Sequence, residues 1–291
     1  MLSKSNSKVE LKDIRLNKYF TNVFQHVYLF LWTFVKSNAD VNVVTSKLGV
    51  SAILRNLISK RKVYVVIHNH DDNDGKSNTL KSYYNQLFRL FRNCKHNRFQ
   101  LVVVSHYWEK YFHALGIKHV VYFPNFFNTK KYLSLKKEHK NPWINLGQYS
   151  SKNDIELNRI ARELTRKGYY CYYCTNNSIE SKPHNGSYEV IYFLNFQDYL
   201  EQVSLSCCTL ALTTINEGWN RMAHESILLG TPVIGYNKGG LGDLLKESNS
   251  VIVKNADEAM TCILEHIFML PDSKFINKYD INNAHLFTID I

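Results

Sequence analysis

Residues 216–235, Asn-Glu-Gly-Trp-Asn-Arg-Met-Ala-His-Glu-Ser-Ile-Leu-Leu-Gly-Thr-Pro-Val-Ile-Gly, decide how the rest of the chain is read. The apolar run Thr209–Thr214 before them predicts a strand. Asn216-Glu-Gly218 then forms a loop, a helix runs to Leu229, Gly230-Thr-Pro232 stops it, and Val233-Ile234 is the next strand. A strand, a loop, a helix and a second strand make a unit that points both strands the same way. The loop directs the free amides and the positive end of the helix at a place where an anion can sit. Glu217 stands at that mouth and Glu225 lies two turns along the helix. Two carboxylates so spaced can each accept hydrogen bonds from neighbouring hydroxyls of one extended ligand.

Working outward, the alternation continues in both directions. Downstream lies Gly239-Gly240. Upstream, in the same half, come Trp143–Leu146 (strand), Asp154–Lys167 (helix, ended by Gly168), Tyr169–Thr175 (strand), Tyr188–Phe193 (strand) and a helix from Gln197. The first half repeats the pattern with strands at Asp40–Thr45, Val63–Ile67, Leu101–Ser105 and Val120–Phe123. Helices are expected at Leu16–Lys36, Ser51–Ser59, Leu80–Cys94 and Tyr107–Leu115. Residues 130–140, rich in lysine and poor in apolar side chains, read as the linker between an N-terminal domain (1–135) and a C-terminal domain (141–291). The fold class is therefore α/β, with parallel sheets covered by helices.

The run from Glu217 to Ile234 resembles the glutamate pair of the retaining GT-B glycosyltransferases of family 4, usually written E-G-x-G-x-x-x-x-E-A-x-x-x-G-T-P-V-I. Glu217, Gly218, Glu225, Gly230, Thr231, Pro232, Val233 and Ile234 fill that frame without a gap. Lys238-Gly-Gly-Leu-Gly-Asp243 is similar to the family's glycine pair with an acid three places on, and Leu146-Gly147-Gln-Tyr-Ser-Ser-Lys152 to its "G-R … K-G" loop. Val102–Ser105, Leu115-Gly-Ile117 and Tyr122-Phe-Pro-Asn125 echo the end of the family's first domain, and His68 falls where a histidine often ends a first-domain strand.

The resemblance implies two Rossmann-like domains facing a cleft and transfer of a sugar, with retention of configuration, from a UDP- or GDP-linked donor to a glycan or lipid-linked acceptor. It implies that Lys152 holds the diphosphate, Glu225 the ribose and Glu217 the transferred sugar. Gly147, Gly218, Trp219, Asn220 and Arg221 would line the donor site and His68 would lie near the reacting carbon. No metal or other cofactor is implied, because a lysine and helix-end amides can stabilise the departing diphosphate. Three positions depart from the pattern. Gln148 stands in place of the arginine beside the lysine, Arg221 is placed to compensate, and Asn220 replaces a glycine. Family members also begin with a strand, a glycine-rich loop, a helix and a strand before the element that Asp40–Thr45 resembles. A chain without them is expected to be a shortened enzyme, a degraded copy, or a half-site subunit that needs a partner chain.

The net charge of +11 is unevenly spread: residues 1–140 hold 24 Lys and Arg against 8 Asp and Glu, and residues 141–291 hold 12 against 17. A basic, aromatic first half suits an anionic membrane surface, with the helix Leu80–Cys94 offering Lys81, Arg89 and Arg92 beside Tyr83, Tyr84, Phe88 and Phe91; the alternative is an ordinary domain helix with a solvated basic face. No nucleic-acid recognition module is visible. The location expected is the cytoplasm or the cytoplasmic face of a membrane, since six cysteines without a secretory signal argue for a reducing compartment; Val23–Val35 is too short and too interrupted to cross a membrane. Cys171 and Cys174, three apart on a strand, point to opposite faces and do not make a metal site. His70–Gly75 fails as a calcium loop because position 81 is lysine, and Asp72-Asn-Asp74 is too short a match to a metal-dependent transferase motif.

Overall fold

The computed structural model describes residues 31, 41–57, 61–68, 78–94, 97–138, 140–149, 155–182 and 186–286. The helix expected over Leu16–Lys36, apart from Leu31, the acidic loop 69–77 and Lys152 lie outside the described residues.

The first sheet has β1 (Val41–Thr45), β2 (Lys62–Ile67), β3 (Phe99–Val103) and β4 (Val120–Tyr122), paired in parallel in the order β1-β2-β3-β4. Between them run α1 (Gly49–Asn56), α2 (Asn78–Asn93) and α3 (His106–Ala114). Strands that step steadily in one direction leave their crossover helices on one face. The alternate residues Val63, Val65, Ile67, Phe99, Leu101 and Val103 accordingly pack with Ile53, Leu87, Phe88, Phe91, Trp108 and Phe112 from the helices. Tyr84, Phe88 and Phe91 of α2 are all turned to the sheet, while Lys81, Arg89 and Arg92 face solvent. Three of the four aromatics of the expected membrane-docking face are thus absorbed by the domain core and Tyr83 is half-buried beside them, while the cations remain outside.

The linker expected at 130–140 is instead partly helical, as α4 (Thr129–Leu135). Asn128 caps it by accepting from the Lys131 amide, and Tyr132 and Leu135 pack with Leu200, Val203, Leu228 and Leu229 of the second half. The lysines hid this because Tyr132 and Leu135, three apart, suffice for the buried stripe of a two-turn helix.

The second sheet contains β5 (Asn141–Gln148), β6 (Tyr170–Thr175), β7 (Glu189–Tyr192), β8 (Ser206–Ala211), β9 (Val233–Tyr236) and β10 (Val251–Val253), all parallel, in the order β10-β9-β8-β5-β6-β7. Its helices are α5 (Ile155–Arg166), α6 (Phe196–Leu205), α7 (Arg221–Leu228), α8 (Gly239–Glu247), α9 (Ala256–Leu264) and α10 (Ser273–Lys278). One face packs on α5 and α9, through Ile160, Ala161, Leu164, Ala259 and Ile263; the other packs on α6, α7 and α8. This is the doubly wound order, and its direction reverses between β5 and β8, where such sheets leave a crevice beyond the carboxyl ends of the strands. Cys171 reaches the Ala161 carbonyl on one face and Cys174 reaches Asn145 on the other, so the two thiols are separated by the sheet.

The halves meet along α3, α8 and the end of the chain. The Tyr107 amide donates to Asp243 Oδ2 at 2.6 Å, Trp108 Nε1 donates to the Glu217 carbonyl at 3.0 Å, and Phe127 exchanges backbone bonds with Tyr279 and Ile281 at 2.9 and 2.8 Å. The Thr129 hydroxyl bonds the Asp280 carboxylate beside them.

Candidate active site at the mouth of helix α7

The crevice is built where β5, β6 and β7 end and α7 begins. A hollow of about 650 Å³ opens there, walled by Gln148, Thr175, Asn195, Tyr199, Arg221 and Glu225, with the aromatic rim Tyr192, Phe193 and Phe196. Gly147 turns β5 towards it with φ +98, a left-handed conformation that favours glycine, and a Cβ there would press on Met222 at 3.3 Å.

Asn220 caps α7, its side chain accepting from the Ala223 amide at 2.8 Å. Arg221 opens the first turn and reaches one turn down to Glu225, Nε to Oε1 at 2.7 Å. Glu225 is 3% exposed, whereas the Arg221 side chain is 67% exposed, so the pair joins a buried acid to a cation at the rim. Tyr132 and Tyr199 also bond the acid. Burial pushes the Glu225 carboxyl up, and Arg221 pulls it back towards ionisation. Burial raises Glu217 as well, against hydrogen bonds from Asn220 and Thr213. Beside Glu225, burial pushes the Tyr132 hydroxyl up to about 12, so it stays a neutral donor.

The predicted residues are not all gathered in the hollow. Arg221 and Glu225 line it, Gly147 shapes its floor, and Gln148 stands where the missing cation was noted. Glu217 and Gly218 lie outside its wall, at the turn before α7, where their backbone is clamped between α3 and α8. Trp219 is turned into the core, its Nε1 donating to His224 Nδ1 at 3.0 Å among Phe275 and Tyr279. His68 follows the carboxyl end of β2 and is exposed. Lys152 lies in the undescribed segment between β5 and α5. Sequence reasoning missed Tyr132, Tyr199 and the aromatic rim. A usable signal was present: strands of one parallel sheet end on one edge, so Thr175 and Tyr192–Phe196 must share an edge with Gln148.

Among the described residues no group of three or more histidine, cysteine or acidic side chains could hold a metal ion, and no helix is long and apolar enough to cross a membrane.

No family model and no curated protein sequence matches the chain. Solved structures do. TarM superposes with a TM-score of 0.64 at 13% identity, over 89% of this chain and 55% of that one. Anabaena Alr3699/HepE in complex with UDP and glucose gives 0.65 at 14%, over 93% and 80%. Sucrose-phosphate synthase from Thermosynechococcus elongatus gives 0.64 at 12%, over 92% and 75%. The chain thus spans about half the length of the TarM structure and most of the other two. Such identities speak to architecture, and with the two parallel sheets they assign this chain the GT-B fold.

Proposed function

We propose that the chain is a glycosyltransferase that moves a sugar, with retention of anomeric configuration, from a nucleotide-sugar donor to a glycan or lipid-linked acceptor. The observation that carries this reading is the buried Glu225, held by Arg221 and facing a 650 Å³ hollow beyond the carboxyl ends of β5, β6 and β7 in a doubly wound sheet. A nucleoside fits such a hollow: the acid receives the ribose hydroxyls, and the aromatic rim offers apolar surface to the base. The HepE structures hold UDP and UDP-glucose, which makes a uridine donor the first to test. The diphosphate would lie towards the amino end of α7, where Arg221 and the helix end meet the charge that grows as the glycosidic bond breaks. Lys152 would add the second cation. Glu217, at the turn before α7, would hold hydroxyls of the sugar, and His68 would approach from the first domain. The chemistry asks for no metal.

Incubation with UDP-glucose tests this. Release of UDP together with glucose that first carries the donor's own α configuration, read by proton NMR, is the expected result. First-formed β-glucose overturns retention, and no binding of any nucleotide-sugar overturns the whole reading.

A further inference from the structure

A second cavity, of about 690 Å³, opens at the opposite end of the same sheet, where β5, β6, β8 and β9 begin. Strands of six to eight residues at ~3.3 Å each separate it from the first by about 20 Å, so no ligand of nucleotide-sugar size spans both. The chemistry of its wall differs too. Lys136, Lys137, Lys140 and Lys167 converge on it with His266, against one described carboxylate, Glu138. None of the four lysines forms an ion pair among the described residues.

A bland origin for these charges exists and is insufficient. The amino end of a parallel sheet collects the carboxyl ends of its helices, and cations settle there. Lys140 does this, its ammonium donating to the Ser204 carbonyl at 2.6 Å in the last turn of α6 and to Thr231 Oγ1 at 3.2 Å. That accounts for one lysine. Lys136 is instead laid across Gly230: a Cβ at that glycine would sit 2.7 Å from Lys136 Cε, so the space that glycine leaves is filled by a second cation stem. Burial, helped by the nearby Lys136 charge, depresses the Lys140 ammonium to about 8. Two cations are therefore held together where one is already half-buried, an arrangement that an anion relieves. Phe268 and Leu270 supply an apolar wall beside them, and Ile267 and Met269 stand exposed next to it.

We infer that this cavity is a second ligand site, distinct from the α7 hollow, which takes a phosphate ester with its phosphate on Lys136 and Lys140 and its organic part against Phe268 and Leu270. The phosphate can come from a soluble ester or from a lipid headgroup presented to the exposed apolar loop, and the test separates the two.

Cys207 lines the cavity and provides a local reporter. A hydrogen bond with its neighbour Cys208, and more weakly the Lys140 charge, lower the pKa of its thiol, which favours alkylation. The full chain is treated with iodoacetamide, and the Cys207 peptide is followed by mass spectrometry, with inorganic pyrophosphate as soluble probe. A probe at ten times its dissociation constant leaves about one site in eleven free, so alkylation should slow about tenfold. The protection should disappear in the K136E/K167E variant, whose changed residues are exposed, and persist in R221M. Thermal melting of the same proteins reads the same binding without the thiol. Vesicles of phosphatidylglycerol in phosphatidylcholine form the second arm: binding to these and not to pure phosphatidylcholine, lost in K136E/K167E, identifies the lipid source, and protection by pyrophosphate alone identifies the soluble one. The inference is overturned if neither probe acts, if the effect survives K136E/K167E, or if R221M abolishes it.

Discussion

Replacing Gly240 with alanine should damage the mouth of α7 from the far side. Gly240 has no positive φ, so backbone conformation does not demand glycine there; space does. A Cβ at 240 would lie 1.8 Å from the Gly218 carbonyl oxygen and 2.8 Å from Ser105 Oγ. Reaching even a tight 3.0 Å requires a movement of 1.2 Å between two backbone segments, where no rotamer change can help. The Glu217 carbonyl is the shared acceptor at this junction, taking the Gly240 amide at 2.7 Å and Trp108 Nε1 at 3.0 Å, and both bonds stretch if the loop retreats. Overpacking of about 1–3 kcal/mol plus roughly 1 kcal/mol for the weakened bonds predicts a loss of about 2–4 kcal/mol. At ~2–4 °C per kcal/mol the melting temperature should fall by about 4–16 °C. Donor turnover should fall about a hundredfold, because a displacement near 1 Å misaligns reacting groups on that scale. S105A should not rescue it, since the carbonyl remains in the way. A G240A protein with parental melting temperature and donor handling would refute the steric argument.

Further outcomes follow from the same geometry. R221M removes the charged partner of a buried acid and should cost about 1–3 kcal/mol in urea melts, and adding E225Q should recover most of it, giving a coupled rather than additive cycle. His224 is wholly buried, and burial holds its imidazole down to about 3. The unfolded chain therefore takes up a proton near pH 6.5 that the folded chain refuses, so this residue's contribution is full above that pH and is lost by about 1.4 kcal/mol per pH unit below it. H224F should flatten that slope in melts between pH 4 and 7. Glu217 runs the other way: burial raises its carboxyl, so ionisation costs the folded state as pH rises through the normal carboxylate range. E217Q should melt higher than the parent at pH 7 while losing activity, and a lower melting temperature would contradict this.

Most of the architecture was legible because alternation of β-branched runs and glycine-ended helices is a local signal. Gly116, Gly168 and Gly230, all with positive φ, end helices where the sequence places the stops. What was not legible depends on contacts across the chain. Thr129–Leu135 reads as charged linker until Leu200 and Leu228 are brought against Tyr132. β8 was expected at Thr209–Thr214 and runs from Ser206 to Ala211, because pairing with β9 stops at Ala211 and leaves the threonines in the loop. Within the site, Arg221 and Glu225 came from the resemblance, as the replacement cation and the ribose acid; that four residues of one helix bring their side chains into an ion pair is what the structure adds. Trp219 was not, because nothing local says that an indole beside a binding loop turns inward to His224.

The central claim is that Glu225 faces a nucleotide-sugar in the hollow at α7. Calorimetric titration of UDP-glucose into the parent and into E225Q tests it most directly. Loss of a charge-assisted bond to a ribose hydroxyl, about 1.5–3 kcal/mol, should weaken binding by roughly tenfold to a hundredfold, with E225Q still folded by its melting curve. Equal affinities in the two proteins would contradict the account.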